Sequence, residues 1–274
     1  MPSTLIAAAV QMTSTADVAR NLARARDLVR HAAARGANLI VLPENFALMS
    51  PSEEAKFAVA ETIDPARPGA IVSALAEEAA RAGAWVVLGG MPEKSDAPGR
   101  VHNACVALGP DGNLRAVYRK IHLFDVHIPD GATYHESKTI AAGERPVVVE
   151  TPWGRLGLSV CYDVRFPELY RALAAQGARF VVVPAAFTLH TGRDHWHVLL
   201  RARAIENLAF VIAAAQYGRH DEKRVTFGHS LIADPWGTVL ADCADGEGVA
   251  IAELDLARQD RLRRELPALD HRRM

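Results

Sequence analysis

Glu44, Lys120 and Cys161 each follow the most strand-like run in their neighbourhood. Glu44 comes after Asn38-Leu39-Ile40-Val41-Leu42-Pro43, and Lys120 after Ala116-Val117-Tyr118-Arg119. Cys161 closes the apolar run that ends Leu158-Ser159-Val160 and opens Tyr162-Asp163-Val164-Arg165-Phe166-Pro167-Glu168, which turns helical. Functional groups gather at strand ends in α/β folds. A thiol at a strand-to-helix turn meets substrate beside backbone N–H groups able to bind an oxyanion. A carboxylate can take its proton, and a lysine held among apolar neighbours can offset the negative charge that develops. Taken singly, each residue also has a structural use. Glu44 could face solvent or cap a helix, Lys120 could snorkel to the surface, and Cys161 could be a buried structural thiol. Cys105, inside the strand-like run 103–108, and Cys243, past a hairpin in an acidic loop, fit that last use better.

Other reactive patterns are weaker. His190, Asp194, His195 and His197 crowd one stretch, but only Asp194 and His197 are spaced one helical turn apart, so no metal is expected. Gly228-His229-Ser230 lacks the second glycine of a serine elbow, and Gly246-Glu247-Gly248 leads into a strand, unlike a phosphate loop. Three cysteines without a C-x-x-C pair argue against a disulfide framework or a zinc knuckle and fit a reducing cytoplasm.

The elements that must position these residues alternate in an α/β rhythm. Leu5–Gln11, 38–43 and 85–89 read as strands, 18–35 and 71–82 as helices. Asp17 or Thr15 could cap the first helix and Gly36 ends it. The stretch from Gly36 through Pro43-Glu44 to Phe46 recurs from Gly177 through Pro184-Ala185 to Phe187, so that Ala185 stands where Glu44 stands. Pro110-Asp111-Gly112 and Pro235-Trp236-Gly237 echo each other as turns between antiparallel strands. The chain reads as two related halves, built as two mixed sheets with helices outside. With 274 residues, 50% of them hydrophobic, it can bury a large core as one domain spanning 1–274. Its 31 basic and 32 acidic side chains nearly cancel, which favours a small-molecule partner over nucleic acid or a membrane surface. The N-terminus reads as a first strand, with no basic leader and no spanning segment.

Taken together, Leu42-Pro43-Glu44, Arg119-Lys120-Ile121-His122-Leu123-Phe124 and Cys161-Tyr162-Asp163-Val164-Arg165-Phe166-Pro167-Glu168 resemble the three signature segments of the nitrilase, or carbon-nitrogen hydrolase, superfamily. The resemblance continues through Phe187-Thr188, His195-Trp196 and Gly228-His229-Ser230. It implies an α-β-β-α sandwich that pairs through its outer helices into homodimers or larger homo-oligomers. It makes Glu44 the general base, Lys120 the oxyanion partner, Cys161 the nucleophile and Glu136 a second glutamate of the site. Tyr162, Arg165 and Thr188 are the candidates for holding substrate. Arg165 is singled out because an arginine fork suits a carboxylate, its alternative being to pair with Asp163 or Glu168.

Within the superfamily, His190-Thr191-Gly192 with His195-Trp196, the segment 213–220 and Leu266-Pro267 look most like the deaminated glutathione amidases, with the ω-amidases as neighbours. His127 and Asp130 depart from the usual loop after the lysine. The resemblance therefore implies hydrolysis of a small 2-oxo-acid amide through a thioester, with no metal or organic cofactor. A nitrile or N-carbamoyl substrate, or a catalytically silent binding protein, are the other readings.

Overall fold

The computed structural model describes residues 4–52, 54–127 and 133–273. Its first half runs β1 (Leu5–Gln11), α1 (Val18–Ala34), β2 (Leu39–Val41), α2 (Ala55–Val59), α3 (Ala70–Ala82), β3 (Trp85–Lys94), β4 (Val101–Leu108) and β5 (Leu114–Arg119). A small hairpin, β6 (Asp125–His127) and β7 (Thr133–His135), leads to the second half. That half contains β8 (Val147–Thr151), β9 (Gly154–Leu158), α4 (Pro167–Ala175), β10 (Ala178–Val182), α5 (Leu189–Asn207) and β11 (Phe210–Ala213). A second small hairpin, β12 (Tyr217–Arg219) and β13 (Val225–Phe227), precedes β14 (Leu231–Ala233), β15 (Val239–Asp242), β16 (Gly248–Leu254) and α6 (Leu256–Glu265).

Two six-stranded mixed sheets result, ordered β16-β1-β2-β3-β4-β5 and β15-β14-β11-β10-β9-β8. In each, three central strands are parallel, β1-β2-β3 in one and β9-β10-β11 in the other, and the outer strands are antiparallel. Superposing these patterns matches β2 to β10 and the β4–β5 hairpin to β14–β15, so both echoes in the sequence are structural. The strand matching β8 is β16, which returns from the far end of the chain to pair with β1, Leu5 opposite Leu254 and Gln11 opposite Gly248.

Alternation along the strands sets the layers, because successive side chains point to opposite faces. Ala7, Ala9, Leu39 and Val41 join a core shared with Leu156, Leu158, Phe180 and Val182 of the second sheet. Ala8, Val10, Ile40 and Leu42 face the other way, onto Leu28 and Val29 of α1 and Leu75 of α3. Trp196 and Leu200 of α5 belong to the core of the second sheet, giving the α-β-β-α sandwich. Asp17 caps α1 by accepting the Arg20 N–H at 3.0 Å. Gly36 and Gly177, at φ +88° and +85°, make the same left-handed exit from α1 and α4 in the two halves. No helix among the described residues is long and apolar enough to cross a membrane.

Candidate active site

Glu44, Lys120 and Cys161 meet where β2, β5 and β9 end, at one end of a cavity of about 460 Å³. Glu44 is only 3% exposed. Its Oε1 accepts the Asn103 Nδ2–H at 2.9 Å and a Lys120 Nζ–H at 3.0 Å, and its Oε2 accepts the Ala186 N–H at 3.0 Å. Space for the carboxylate comes from β3, which is irregular between Leu88 and Met91. A side chain at Gly90 would overlap Asn103 and come within 3.1 Å of Glu44 Cγ.

Lys120 does not snorkel. It is 2% exposed, and its ammonium also donates to Glu136 Oε1 at 3.0 Å and Oε2 at 2.8 Å. Burial pulls this ammonium toward its neutral form, but the charges of Glu136 and Glu44 outweigh burial and hold it well above the ordinary lysine value. The same pairing keeps Glu136 below the usual carboxylate range, against its own desolvation. Glu136 opens a 3-10 turn just after β7 and also accepts the Phe124 N–H at 2.7 Å.

Cys161 sits at φ +49°, a left-handed conformation that costs a residue with a Cβ and is kept only where its surroundings over-determine it. The surroundings are Pro184, whose carbonyl accepts the Cys161 N–H at 2.8 Å, and the fully buried Asp163. Asp163 accepts the Val160 N–H at 2.8 Å, the Tyr118 hydroxyl at 2.7 Å and the His122 N–H at 3.1 Å, and pairs with His122 Nδ1 at 2.8 Å. It thereby ties the cysteine turn to the segment carrying Lys120. The thiol is 8% exposed; burial, then the Glu44 charge, push its pKa well above the ordinary cysteine value. It rests as a neutral thiol beside a carboxylate able to take its proton. Cys105 is fully buried and Cys243 only partly so.

Tyr162 and Thr188 both line the cavity. Tyr162 meets Phe124 edge-on at 5.0 Å, and Thr188 caps α5 through its hydroxyl. Arg165 packs behind this wall, its guanidinium 5.0 Å from the Phe187 ring centre and 5.8 Å from that of Tyr162. Its polar partner is His195, whose Nδ1 accepts the Nη1–H at 3.2 Å, and burial lowers its pKa. Asp163, offered by sequence as its alternative partner, is filled by other donors.

The histidines of α5 diverge. His195 reaches Arg165, whereas His197 Nε2 lies 2.6 Å from Asp242, which also meets His229 Nδ1 at 3.0 Å. His197, His229 and Asp242 are the group among the described residues whose donors converge enough to hold a metal ion, and sequence spacing did not bring them together. His127 hydrogen-bonds Thr133 across the β6–β7 hairpin at 2.7 Å; Asp130 lies outside the described residues. Sequence reading also missed the cations lining the cavity beyond the buried cluster, Lys56, Lys223 and Arg224. Only their approach in space marks them out.

Comparison with known proteins places the chain in a family. The carbon-nitrogen hydrolase family matches residues 6–264. The chain is 47% identical over 270 residues to a deaminated glutathione amidase of Synechocystis sp., covering 97% of both chains. It superposes on Saccharomyces cerevisiae Nit3, a nitrilase-superfamily member, with a TM-score of 0.88 at 32% identity, covering 99% of this chain and 97% of that one. A mutant amidase from Nesterenkonia sp., bearing the acetamide moiety of fluoroacetamide on its active-site cysteine, matches at 28% identity and a TM-score of 0.80, covering 98% and 94%. With a family match over residues 6–264 and a 47% identical relative covered along 97% of its length, the chain belongs to the carbon-nitrogen hydrolase family.

Proposed function

We propose that this amidase hydrolyses the amide of deaminated glutathione, releasing 2-oxoglutarate and Cys-Gly through a thioester on Cys161. The observation that carries the chemistry is the convergence of a neutral buried thiol, a carboxylate and a fixed ammonium at the closed end of one cavity. The name of the 47% identical relative supports the substrate.

Glu44 takes the Cys161 proton as sulfur attacks the carbonyl carbon. The Lys120 ammonium and the Tyr162 N–H, the first amide after the nucleophile, receive the oxyanion. The tetrahedral species collapses by breaking the C–N bond, and Glu44 returns the proton to the departing amine. A water deprotonated by Glu44 then attacks the thioester, giving the carboxylate and restoring the thiol. Glu136 holds Lys120 in place. Tyr162 and Thr188 flank the substrate, and Arg165 grips the oxo-acid carboxylate after swinging from His195. The cycle needs neither metal nor organic cofactor. The chain works as one domain in the cytoplasm and as a homo-oligomer; exposed Val198 and Ile205 on α5 and exposed Trp236 support the oligomer.

Rates measured side by side on deaminated glutathione and 2-oxoglutaramate test the substrate. The first is expected to have the higher kcat/KM, because binding of its remote Cys-Gly portion can be used at the reacting carbonyl. Equal or reversed values would move the assignment to an ω-amidase.

A further inference from the structure

Outside the cavity, three side chains with metal-ligating atoms converge from α5 and the second sheet. His197 lies in the middle of α5, His229 stands between β13 and β14, and Asp242 ends β15. Asp242 bridges the two imidazoles, its Oδ2 lying 2.6 Å from His197 Nε2 and its Oδ1 3.0 Å from His229 Nδ1. One donor atom from each residue falls within 4.8 Å of the other two. Between 29% and 35% of each side chain is exposed, so solvent reaches all three. None of them lines the catalytic cavity.

The trio is aimed by groups that have no part in it. His229 takes a left-handed backbone at φ +56°, which costs a residue with a Cβ. Its carbonyl accepts the Trp196 Nε1–H at 2.8 Å, and its ring stacks on Phe227 with 4.5 Å between ring centres. Trp196 is fully buried and precedes His197, so the bond that fixes His229 also fixes the turn of α5 that carries the other imidazole. Phe227 is pressed against the same helix, where a side chain at Gly192 would overlap it. Asp242 pairs with Leu231 across β14–β15, and the Cys243 N–H donates to the Ser230 carbonyl at 2.8 Å, securing the strand just past it. A surface carboxylate open to water needs no second imidazole to satisfy it, yet one is brought in at the expense of strained backbone. Such strain persists where function repays it, and prepositioned ligands lose little freedom on binding.

We propose that His197, His229 and Asp242 form a binding site for a divalent first-row transition ion, zinc by ligand type, which staples α5 to the edge strand of the second sheet. Two imidazole nitrogens and a carboxylate suit zinc and its neighbours, whereas magnesium and calcium prefer oxygen alone. Bonds of about 2.0–2.2 Å place the ligand atoms of a tetrahedral ion about 3.3 Å apart. The two contacts to Asp242 therefore widen by only about 0.3–0.7 Å when the ion enters. Each neutral imidazole binds through the nitrogen that faces Asp242 and carries its proton on the other, and water takes the fourth position. The ion is structural, and the proposal is independent of the substrate assigned above.

The test strips the full chain with a chelator and titrates it with Zn²⁺ alone by calorimetry, then with Co²⁺ for its visible spectrum. The wild-type protein is expected to bind one Zn²⁺ per chain with a Kd of about 1 μM or tighter. At a hundredfold excess over that Kd, Tm should rise by about 5 °C. Asp242→Asn should weaken binding by about a hundredfold or more, and His197→Gln/His229→Gln should abolish both binding and the Tm rise, each variant first shown by melting to fold without metal. Bound Co²⁺ should show d–d bands without thiolate-to-cobalt charge transfer, a readout that needs no variant. A charge-transfer band would put the ion on Cys161 or Cys243 and overturn the site. So would the absence of saturable Zn²⁺ binding to the wild-type chain, or unchanged affinity in the folded double variant.

Discussion

Lys120 Nζ lies 2.8 Å from Glu136 Oε2, and the same nitrogen is 3.0 Å from Glu44 Oε1, so one buried cation serves a buried and a partly buried carboxylate. Removing one partner from a buried ion cluster strands the others without solvent. Lys120→Met is therefore expected to lose about 3–5 kcal/mol of stability at neutral pH. Without the cation, desolvation is no longer outweighed at Glu136, and its folded-state pKa rises above its unfolded value. Such a group stabilises below the unfolded value, near ~4.3, and loses that contribution as pH rises through the folded one. The deficit against wild type should thus shrink toward pH 4. Denaturant titrations of both proteins across this range check it, and a deficit independent of pH would refute the shared-cation account.

Glu44 and Glu136 touch the same ammonium, but only Glu44 also acts on the thiol. Glu44→Gln should lower kcat by about a thousandfold, since general acid-base transfer contributes on the order of 10²–10⁴ and both chemical steps use it. Glu136→Gln should cost less in kcat and alter KM as well, because it acts by holding Lys120. Single-turnover acid quench separates the two. A stable thioester formed at full rate in Glu44→Gln would contradict its double duty. Cys161→Ser should leave no thioester and no measurable turnover while the fold is retained, as judged by thermal melting.

Burial and the Glu44 charge keep the Cys161 proton on sulfur. An ordinary cysteine becomes more reactive toward iodoacetamide as pH passes about 8.5. Inactivation of this enzyme should instead show no inflection there, and kcat/KM should gain nothing through the same window. Stopped-time alkylation between pH 6 and 10 tests it. A titration centred near pH 8.5 would mean that the thiol is not shielded as described.

Tyr118 touches no cavity atom, yet its hydroxyl donates to Asp163 at 2.7 Å. Tyr118→Phe leaves a buried carboxylate short of one donor and should cost about 1–2 kcal/mol. Loosening the Cys161 turn misaligns sulfur with Lys120, so kcat should fall with KM nearly constant. A stability loss without any kcat change would make Asp163 a purely structural hub.

What could be read beforehand depended on how local each signal was. The recurrence of helix, glycine, strand and proline around Glu44 and Ala185, and of the two Pro-x-Gly hairpins, is written in short segments, and the paired sheets followed from it. The place of β16 is not written locally, because its pairing with β1 joins residues at opposite ends of the sequence. The same holds within the site. Lys120 alone resembles a snorkelling lysine, since its carboxylates come from 76 and 16 residues away. Asp163 looked like a partner for its neighbour Arg165, but its donors come from the Lys120 segment and from Val160.

The near-symmetry of the sheets divides labour unequally between the halves. Ala185 holds the second half's counterpart of the Glu44 position, and the amide that follows it, at Ala186, is the one that holds Glu44 Oε2 at 3.0 Å. The half without an acid thus aims the acid of the other half. Proton acceptor and cation belong to one half, nucleophile and aiming amide to the other. A fragment ending before β8 would carry a base with nothing to activate, and one starting there a thiol with nothing to accept its proton. Reactivity in this chain belongs to neither repeat but to the seam between them.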